Sequence, residues 1–517
     1  MGKYDKRFVR HTSTIIMVLS FLIKCILTLL FSSVLYYLWL IVTNYRVAWF
    51  SMSQKGLWLP LFPFVGNAYL AVFTGLRVNM LSSLLWGERV AGMPLNFWYG
   101  KHYHYVINSA EKARIVLNHP KCQDKAALYN NLRYIFKNSI LLSPEEQWKG
   151  RRRYLRSAYN TNMINTFIPT FYQQSCALID LIKKKKPEDD HYKFFNTHAF
   201  MNFFLTSIGW LAEDVKDSDV KEFGHLVDKT QDEFVKLFVT PSIPISIWIR
   251  SPLGTKLYIF RKQMMQVLNN IIKKKIAQMA KHSEYVANTT ELPLVELLLN
   301  DGYDSLEKQT EIFHEFTLFA AAATDTTGHS LTFVFTLLGM FPDIQQKLYE
   351  EVMSVVEDKE IDNQMLSKLV YTEAVLNEAL RIFPVIPLLG RYCHKDIELG
   401  DKTVPAGANI VLSIFHIHRN PEYWDNPLEF DPSRFLPENC GKIKPGSFLP
   451  FSIGPRNCIG QRMATTLIKM TIATVVRHFK ISSKHKSIKE FKLSSCISMK
   501  TRYHLDLHFT PRSQNGH

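Results

Sequence analysis

One cysteine, Cys458, lies in a stretch whose residue types and spacing could bind a metal through sulfur. The stretch reads Phe451-Ser-Ile-Gly-Pro-Arg-Asn-Cys-Ile-Gly460 and is followed by a predicted helix over residues 461–476. Gly454 permits the positive φ of a tight turn, and unpaired N–H groups at the start of a helix favour a thiolate. The sequence therefore predicts a loop that presents a thiolate. The alternative is that Cys458 is a small buried hydrophobic residue.

Three neighbours of Cys458 define the loop further. Arg456 supplies a cation, Phe451 supplies an apolar wall beside the sulfur, and Gly460 leaves room for a flat group against the following helix. The pattern resembles the haem-binding loop of the cytochrome P-450 superfamily and is most similar to its fourth family of animal microsomal members. The resemblance implies that Cys458 is the proximal ligand of a haem iron, with Arg456 beside a haem propionate. It also implies a mainly α fold with a small β region, shaped as a triangular prism.

A long apolar helix is predicted to carry the second set of reactive groups. Ser305 caps a helical pattern that continues to a break at Phe341. Its middle reads Ala320-Ala-Ala-Ala-Thr-Asp-Thr-Thr-Gly328. A carboxylate and hydroxyls inside an apolar helix are costly unless they form hydrogen bonds. The four alanines have small side chains, so a flat ring could lie against this face of the helix. Hydroxyls that form hydrogen bonds to the preceding turn can bend the helix.

The resemblance assigns roles within this segment. It implies that Thr326 lies at the proton-delivery position with Asp325 beside it, and that Ala323 replaces the usual glycine. Ala322 stands where many members of the fourth family carry a glutamate that forms an ester with the haem. We therefore expect haem b that is not covalently attached.

Ser143 is expected to cap a helix that begins with Pro144 and Glu145. This helix places Trp148 and Arg152 on one face, because they are four residues apart. The resemblance implies that this pair meets a haem propionate. Without the resemblance, the better interpretation of this segment is a basic amphipathic helix on the protein surface. The other cations of this helix are candidates for docking an acidic partner, namely Arg151, Arg153 and Arg156.

Three charged residues are expected to form a buried ionic cluster. Glu378 and Arg381 share a helix face, and the resemblance joins both to Arg434 as a brace for the haem loop. It also places Arg391, on a strand at residues 385–391, beside a propionate. His418, like His416, lacks metal-ligand spacing and is expected to be structural.

Composition bounds the class of protein. The chain has 517 residues, 47% of them hydrophobic, and a formal net charge of +16. No nucleic-acid-binding motif accompanies the positive charge, so we expect an anionic membrane surface and an acidic redox partner instead. The seven cysteines show no paired spacing, which argues against a disulfide framework or a zinc site and suits a reducing, cytosol-facing compartment.

An apolar run from Cys25 to Thr43 is long enough to cross a bilayer, and Lys24 separates it from a shorter run at residues 14–23. It is too long for a cleaved signal peptide and lacks the composition of a mitochondrial presequence. Charge bias favours a cytosolic N-terminus, whereas the resemblance implies a lumenal one. We expect residues 1–50 to be a single-pass anchor in the endoplasmic reticulum membrane and residues 51–517 to be a cytosolic catalytic domain.

Two loops each allow two interpretations. The segment from Leu59 to Asn67 is similar to the proline-rich hinge after a membrane anchor, and an ordinary loop explains it nearly as well. The apolar segment from Thr240 to Pro252 corresponds to a lid over the substrate channel or to a buried crossover, and the sequence does not separate the two.

Taken together, the resemblance implies a monooxygenase that inserts oxygen from O2 into a lipophilic substrate: a fatty acid, a hydrocarbon, a steroid-like compound or a xenobiotic. It implies electrons from NADPH through cytochrome P-450 reductase, with cytochrome b5 as a further partner. Two rivals remain: a haem-thiolate isomerase or dehydratase that needs neither O2 nor reductase, and a non-catalytic haem-binding protein.

Overall fold

The computed structural model describes residues 4–54, 96–137, 139–184, 191–209, 217–234, 250–281, 292–300, 302–495, 497–501, 503 and 505–512. The predicted hinge at Leu59 to Asn67 lies outside these residues, as does the predicted lid up to residue 249.

Helices dominate the described chain, as expected. They are α1 (Tyr4–Thr43), α2 (Tyr45–Ser53), α3 (Ala110–Asn118), α4 (Arg133–Phe136), α5 (Glu145–Leu155), α6 (Thr161–Thr166), α7 (Ile168–Lys183), α8 (His191–Ile208), α9 (Asp217–Phe234), α10 (Pro252–Lys281), α11 (Leu294–Leu299), α12 (Leu306–Met340), α13 (Pro342–Val356), α14 (Asn363–Lys368), α15 (Val370–Ile382), α16 (Ile414–Ile417), α17 (Pro437–Cys440) and α18 (Gln461–His478). Short 3₁₀ helices lie at Pro120–Cys122, Ala127–Leu132, Arg156–Tyr159, Pro432–Phe435 and Ile488–Glu490.

The β region is small, which confirms the predicted fold class. Its strands are β1 (Phe97–Tyr99), β2 (His102–Ile107), β3 (Leu388–Tyr392), β4 (Ile397–Glu398), β5 (Thr403–Val404), β6 (Asn409–Ser413), β7 (Phe479–Ser483), β8 (Leu493–Ser495), β9 (Met499–Thr501) and β10 (Leu507–Pro511). One four-stranded sheet has the order β1-β2-β6-β3, and β2 pairs with β6 in parallel although about 300 residues separate them. The antiparallel β3–β6 pairing sets Gly390 opposite Val411.

Helix α12 is the element that links the cores. Its residues Ile312–Ala320 pack in one apolar cluster with α8, α9 and α10, and its residues Leu331–Leu338 pack in a second with α7, α15 and α18. The hydroxyl of Ser305 accepts the N–H of Lys308 at 3.2 Å, which is the predicted cap. With 35 residues the helix is about 50 Å long. Both ends of α12 are therefore fixed, and its middle is free to form the wall of a site.

The predicted apolar N-terminal segment is one continuous helix. The helical segment Ile16–Thr43 is long and apolar enough to cross a membrane, and its most apolar stretch of 18 residues, with a mean hydropathy of 2.3, is not buried within the protein. Lys24, which separates the two apolar runs in the sequence, lies within α1 and does not interrupt the helix. At the far end, Leu40 and Val47 are buried against the residues of the four-stranded sheet, and Arg46 forms an ion pair with Asp396. The apolar helix therefore leads directly onto the folded body.

The start of α5 differs from the prediction. Ser143 does not cap the helix, because its hydroxyl donates to the Ser139 carbonyl at 3.0 Å, and Pro144 takes the N-cap position without a side-chain hydrogen bond. Asp124 accepts the N–H of Glu145 at 2.8 Å instead. A carboxylate from 21 residues upstream therefore does the capping that a local serine was expected to do.

The closeness of α8 and α12 predicts a stability difference between two helical glycines. A Cβ on Gly328 would lie 3.1 Å from the backbone Cα of Asn196, whereas a Cβ on Gly150 would meet no atom within 4 Å. We expect Gly328→Ala to lower the free energy of unfolding by about 1–3 kcal/mol, since α8 must shift. Gly150→Ala, which makes the same change in helix propensity, should leave it unchanged or raise it by up to about 1 kcal/mol. Denaturant unfolding measures both, and equal effects would contradict the close packing.

Candidate active site

A cavity of about 1060 Å³ lies where the cysteine loop, α12 and β3 meet. Cys458 and Gly460 line it from the loop, and Leu388–Gly390 line it from the sheet. From α12 it is lined by Ala321–Ala323 and by residues 325–327. The two motifs that the sequence singled out, more than 120 residues apart, therefore contribute to one cavity.

The cysteine loop is shaped by two backbone contacts. The N–H of Cys458 donates to the carbonyl of Phe451 at 2.9 Å. Gly454 adopts φ +77°, and a Cβ there would collide with the carbonyl oxygen of Leu117 at the end of α3. Ser452 also has a positive φ, of 61°, which is uncommon for a residue with a side chain. Glycine is required at 454 both for its conformation and for this close approach.

Burial and the neighbouring polar groups have opposite effects on the pKa of Cys458. Its side chain is exposed to the cavity, yet burial within the protein raises the pKa of the thiol above its ordinary value. The N–H of Gly460 and the charge of Arg152 act in the opposite direction and do not outweigh burial. The N–H of Gly460 at the start of α18 thus favours the thiolate, but burial has the larger effect on the pKa. A coordinated metal ion deprotonates a thiol by itself.

Cations gather at another part of the cavity wall. Arg456 is 6% exposed, and its guanidinium lies 4.7 Å from the ring centre of Trp148 and donates to the Ser143 carbonyl at 2.6 Å. Burial, with Arg391 nearby, lowers the pKa of Arg456 to about 10. Arg152 lines the cavity and donates to Asn457, at 2.9 Å to the carbonyl and 2.8 Å to the side-chain oxygen. Trp148 and Arg152 thus both lie beside the cysteine loop, and their contact with a haem propionate stays a prediction.

Two further cations lie close to Arg456. Arg391 is fully buried behind Gly390, and its Nε and Nη2 atoms have no hydrogen-bond partner among the described residues. Lys125, which the sequence analysis missed because no motif marks it, lines the cavity. Burial, then the charges of Arg391 and Arg456, lower the pKa of Lys125 well below its ordinary value. This part of the cavity has an excess of positive charge.

These features fit an iron porphyrin. Buried guanidinium atoms without a partner, the Nε and Nη1 atoms of Arg456 and those of Arg391, suit the anionic edge of such a group. A Cβ on Gly460 would meet no protein atom within 4 Å, which leaves open space beside the sulfur. Phe451 and Ala323 line the same cavity. Of the residues predicted to hold haem, Arg391 and Gly454 do not line the cavity, and all the others do.

The polar middle of α12 is arranged in an unexpected way. The hydroxyl of Thr326 donates to the carbonyl of Ala322 at 2.7 Å, which is the predicted bond to the preceding turn. The carboxylate of Asp325 instead accepts the hydroxyl of Tyr192, on α8, at 3.0 Å. Within the described chain no hydrogen bond joins Asp325 to Thr326. Tyr192 carried no sequence signal, since only the packing of α8 on α12 brings it there.

The predicted ionic cluster is present. Arg381 and Glu378 are fully buried and form two hydrogen bonds, of 2.6 and 2.7 Å. The guanidinium Nε of Arg434 lies 3.5 Å from a Glu378 oxygen, which also accepts the N–H of Asp431 at 3.0 Å. Burial raises the pKa of Glu378 although Arg381 opposes it. The charge of each group therefore depends on its partner.

A short path of hydrogen bonds links this cluster to the cysteine loop. Arg381 donates to the carbonyl of His418 at 2.9 Å, and Nε2 of His418 accepts the N–H of Leu449 at 2.7 Å. Burial lowers the pKa of His418 to about 3, so the ring is neutral and can accept. Leu449 lies two residues before Phe451. His418 is structural, as predicted, and it positions the loop.

Comparison with known proteins identifies relatives over most of the chain. The sequence model of the cytochrome P450 family matches residues 59–506. Cytochrome P450 4c21 of Blattella germanica is 27% identical over 84% of this chain and 89% of its own. Cytochrome P450 4c3 of Drosophila melanogaster is 28% identical over 81% of this chain and 83% of its own. Cytochrome P450 4V2 of Homo sapiens is 28% identical over 86% of this chain and 87% of its own.

The ionic cluster predicts a large loss of stability from one neutral substitution. Glu378→Gln leaves the buried charge of Arg381 without its partner, and we expect the free energy of unfolding to fall by about 3–5 kcal/mol. Urea unfolding monitored by circular dichroism measures the loss. The control is Asp401→Asn, which removes the partner of Lys112 in an exposed ion pair and should change little. Similar effects in the two variants would show that the buried cluster does not brace the fold.

Proposed function

The chain belongs to the cytochrome P450 family and is a haem-thiolate monooxygenase, and we propose that it uses electrons from NADPH to insert one atom of O2 into a lipophilic substrate. The observation that carries this proposal is the placement of Cys458, Asp325 and Thr326 on the wall of one cavity. One residue would hold the metal, and the other two would handle protons.

Cys458 is the proposed iron ligand, and the loop fixes its direction. Haem iron, when bound, supplies O2 activation, and a thiolate ligand favours O–O bond cleavage, as is general for this family. The Phe451 carbonyl holds the Cys458 N–H, and Leu449 is held by His418. We propose that Arg456, Arg391, Arg152, Trp148 and Lys125 bind the propionates.

Asp325 and Thr326 are the proposed proton carriers. The Asp325 carboxyl can take a proton from water in the cavity and release it near Thr326, one residue along α12. The Thr326 hydroxyl donates to the Ala322 carbonyl, and rotation about its side chain turns the same O–H toward the cavity. A carboxyl with a neighbouring hydroxyl suits acid catalysis in a site that excludes bulk water.

The substrate class follows from the remainder of the cavity wall. Most of its other residues are apolar, including Leu318, Phe319, Phe203, Val385 and Leu389. A lipophilic molecule gains free energy by leaving water for such a surface. We therefore propose a fatty acid, hydrocarbon, steroid-like compound or xenobiotic as substrate.

The haem is proposed to be bound without a covalent link. Ala322 lines the cavity and carries no carboxylate that could form an ester. Ala323 beside it is equally small, so this part of α12 offers a flat apolar surface and no bond-forming group.

The electron donor is proposed to be NADPH–cytochrome P450 reductase, with cytochrome b5 as an additional partner. Of the predicted docking cations, Arg153 and Arg156 are exposed. Arg151 donates to the buried Glu315 at 2.6 Å and so contributes less to the surface charge. We propose residues 1–50 as a single-pass anchor in the endoplasmic reticulum membrane, with residues 51–517 as a cytosolic catalytic domain.

Reconstitution tests the proposal against both rivals. The full-length chain with haem, reductase and phospholipid is incubated with lauric acid, hexadecane, progesterone and a lipophilic xenobiotic such as benzphetamine. The proposal expects an oxygenated product from at least one compound that requires both NADPH and O2. A product formed without them supports the isomerase or dehydratase, and haem binding without any product supports the non-catalytic protein.

The proposed iron ligand predicts a spectroscopic change in one variant. Cys458→Ser should lose the red-shifted Soret band that a thiolate-ligated ferrous haem gives with carbon monoxide, because a hydroxyl is a poor substitute for a thiolate. Cys440→Ser makes the same change outside the cavity and should keep the band. A retained band in Cys458→Ser would reject Cys458 as the ligand.

The proposed proton carrier predicts a loss of coupling. Thr326→Ala should reduce product formed per NADPH by up to roughly 10²-fold, since a positioned proton donor is lost, and should release more hydrogen peroxide. Thr336→Ala is the matched control, because Thr336 makes the same bond to the preceding turn and does not line the cavity. If both variants couple as well as the wild type, Thr326 has no role in proton delivery.

A further inference from the structure

A small polar cluster outside the proposed proton-delivery pair holds the carboxylate of Asp325. Tyr192 of α8 donates its hydroxyl to Oδ1 of Asp325 at 3.0 Å. His329, one turn further along α12, places Nδ1 3.5 Å from the same oxygen. Tyr192 and His329 also contact each other, with ring centres 4.3 Å apart. Two groups that can each donate a hydrogen bond therefore lie near one carboxylate oxygen of Asp325.

The hydrogen bond of His329 defines its tautomer. Nδ1 lies 2.7 Å from the backbone carbonyl of Asp325. A carbonyl oxygen can only accept, so Nδ1 must carry a proton. His329 thus donates its N–H to the backbone carbonyl of Asp325, and the carboxylate oxygen Oδ1 of the same residue lies 3.5 Å from that nitrogen.

The packing of α8 on α12 makes this arrangement specific. Gly328 lies between Asp325 and His329, and a Cβ at that position would crowd the backbone of Asn196. Asn196 is one turn from Tyr192 on α8, so the close approach of the helices sets the reach of the Tyr192 hydroxyl. His329 is buried, at 4% exposed, and Tyr192 is half-buried beside the exposed Lys193. The cluster therefore extends from the middle of α12 toward the protein surface.

We propose that Tyr192 and His329 are positioning residues that orient Asp325 for proton uptake from water on the α8 side of the cavity. The inference rests on the proposed function, since it assigns Asp325 a role in proton delivery. Asp325 takes up one proton there and releases one on the Thr326 side, so the carboxylate is restored in each cycle. The two residues themselves remain unchanged.

Turnover provides the first test, with the compound that the wild-type chain converts. Tyr192→Phe keeps the ring against His329 and removes only the hydroxyl. We expect product per NADPH to fall about tenfold, the factor that corresponds to losing one hydrogen bond to a charged group. His329→Leu should have a similar effect, and His329→Asn, whose amide can place an N–H near the position of Nδ1, should restore most of the coupling.

Controls separate positioning from general damage. Tyr172→Phe on α7 also removes a hydroxyl, one that accepts a hydrogen bond from Arg477, and Tyr172 lies outside the cavity. It should couple like the wild type. All variants must retain the thiolate-type carbon monoxide band. Unchanged or improved coupling in Tyr192→Phe and His329→Leu would overturn the proposal, as would failure of His329→Asn to restore coupling.

A measurement without turnover tests the geometry directly. Histidine labelled with ¹⁵N in the ring is incorporated into the protein, and NMR spectra are recorded of the ferrous carbon monoxide form, which is diamagnetic. The signal of His329 is assigned as the one that is lost in His329→Asn. We expect a protonated Nδ1 whose shift changes in Tyr192→Phe. A tautomer protonated only at Nε2 would overturn the proposal. If the wild type converts no compound, the proposed function has failed, and this arm still decides whether His329 and Tyr192 hold Asp325.

Discussion

The direction of one sulfur atom is the constraint on which the rest of the site depends. Cys458 can bind a metal in the cavity only if the loop before α18 turns back on itself, and that turn requires Gly454 to lie against the carbonyl of Leu117. The N–H of Leu449, just before the loop, donates a hydrogen bond to His418. His418 in turn accepts a hydrogen bond from Arg381 of the ionic cluster, so the cluster also supports the loop. Of the residues that make these contacts, only Leu449 also lines the cavity. The surrounding fold therefore sets the position of the thiol before any ligand is bound.

The second constraint is the length of α12. Its two ends are buried in different apolar cores, so the central turns cannot move without disturbing both. Because these turns are held in place, they can carry a run of small residues and a carboxylate at the cavity wall, although burying a carboxylate costs free energy. The carboxylate of Asp325 is stabilised by α8 through Tyr192 and not by its neighbour Thr326. The same helix thus provides the flat apolar surface and the groups that we propose to carry protons.

The local features of the fold and site were predictable from residue patterns, whereas long-range ones were predictable only where the family resemblance implied them, as for Arg434 beside Glu378. The limits of α12 follow from Ser305 and Phe341 because caps and breaks act within a few residues. The cysteine loop was recognisable because its residue types have fixed offsets. Lys125 and Tyr192 were missed, since each reaches the site only through tertiary packing. The cap of α5 was assigned to Ser143 for the same reason: the true partner, Asp124, is distant in sequence. The raised pKa of Cys458 likewise depends on burial, which no local pattern reports.

The bond between Cys458 and iron is the central claim, and X-ray absorption at the iron edge of the purified ferric protein tests it most directly. We expect the fine structure to require one sulfur neighbour at bonding distance in the wild type and none in Cys458→Ser. A spectrum of the wild type that is fitted by nitrogen and oxygen neighbours alone would contradict the assignment of Cys458 as the iron ligand, and with it the proposed arrangement of the site.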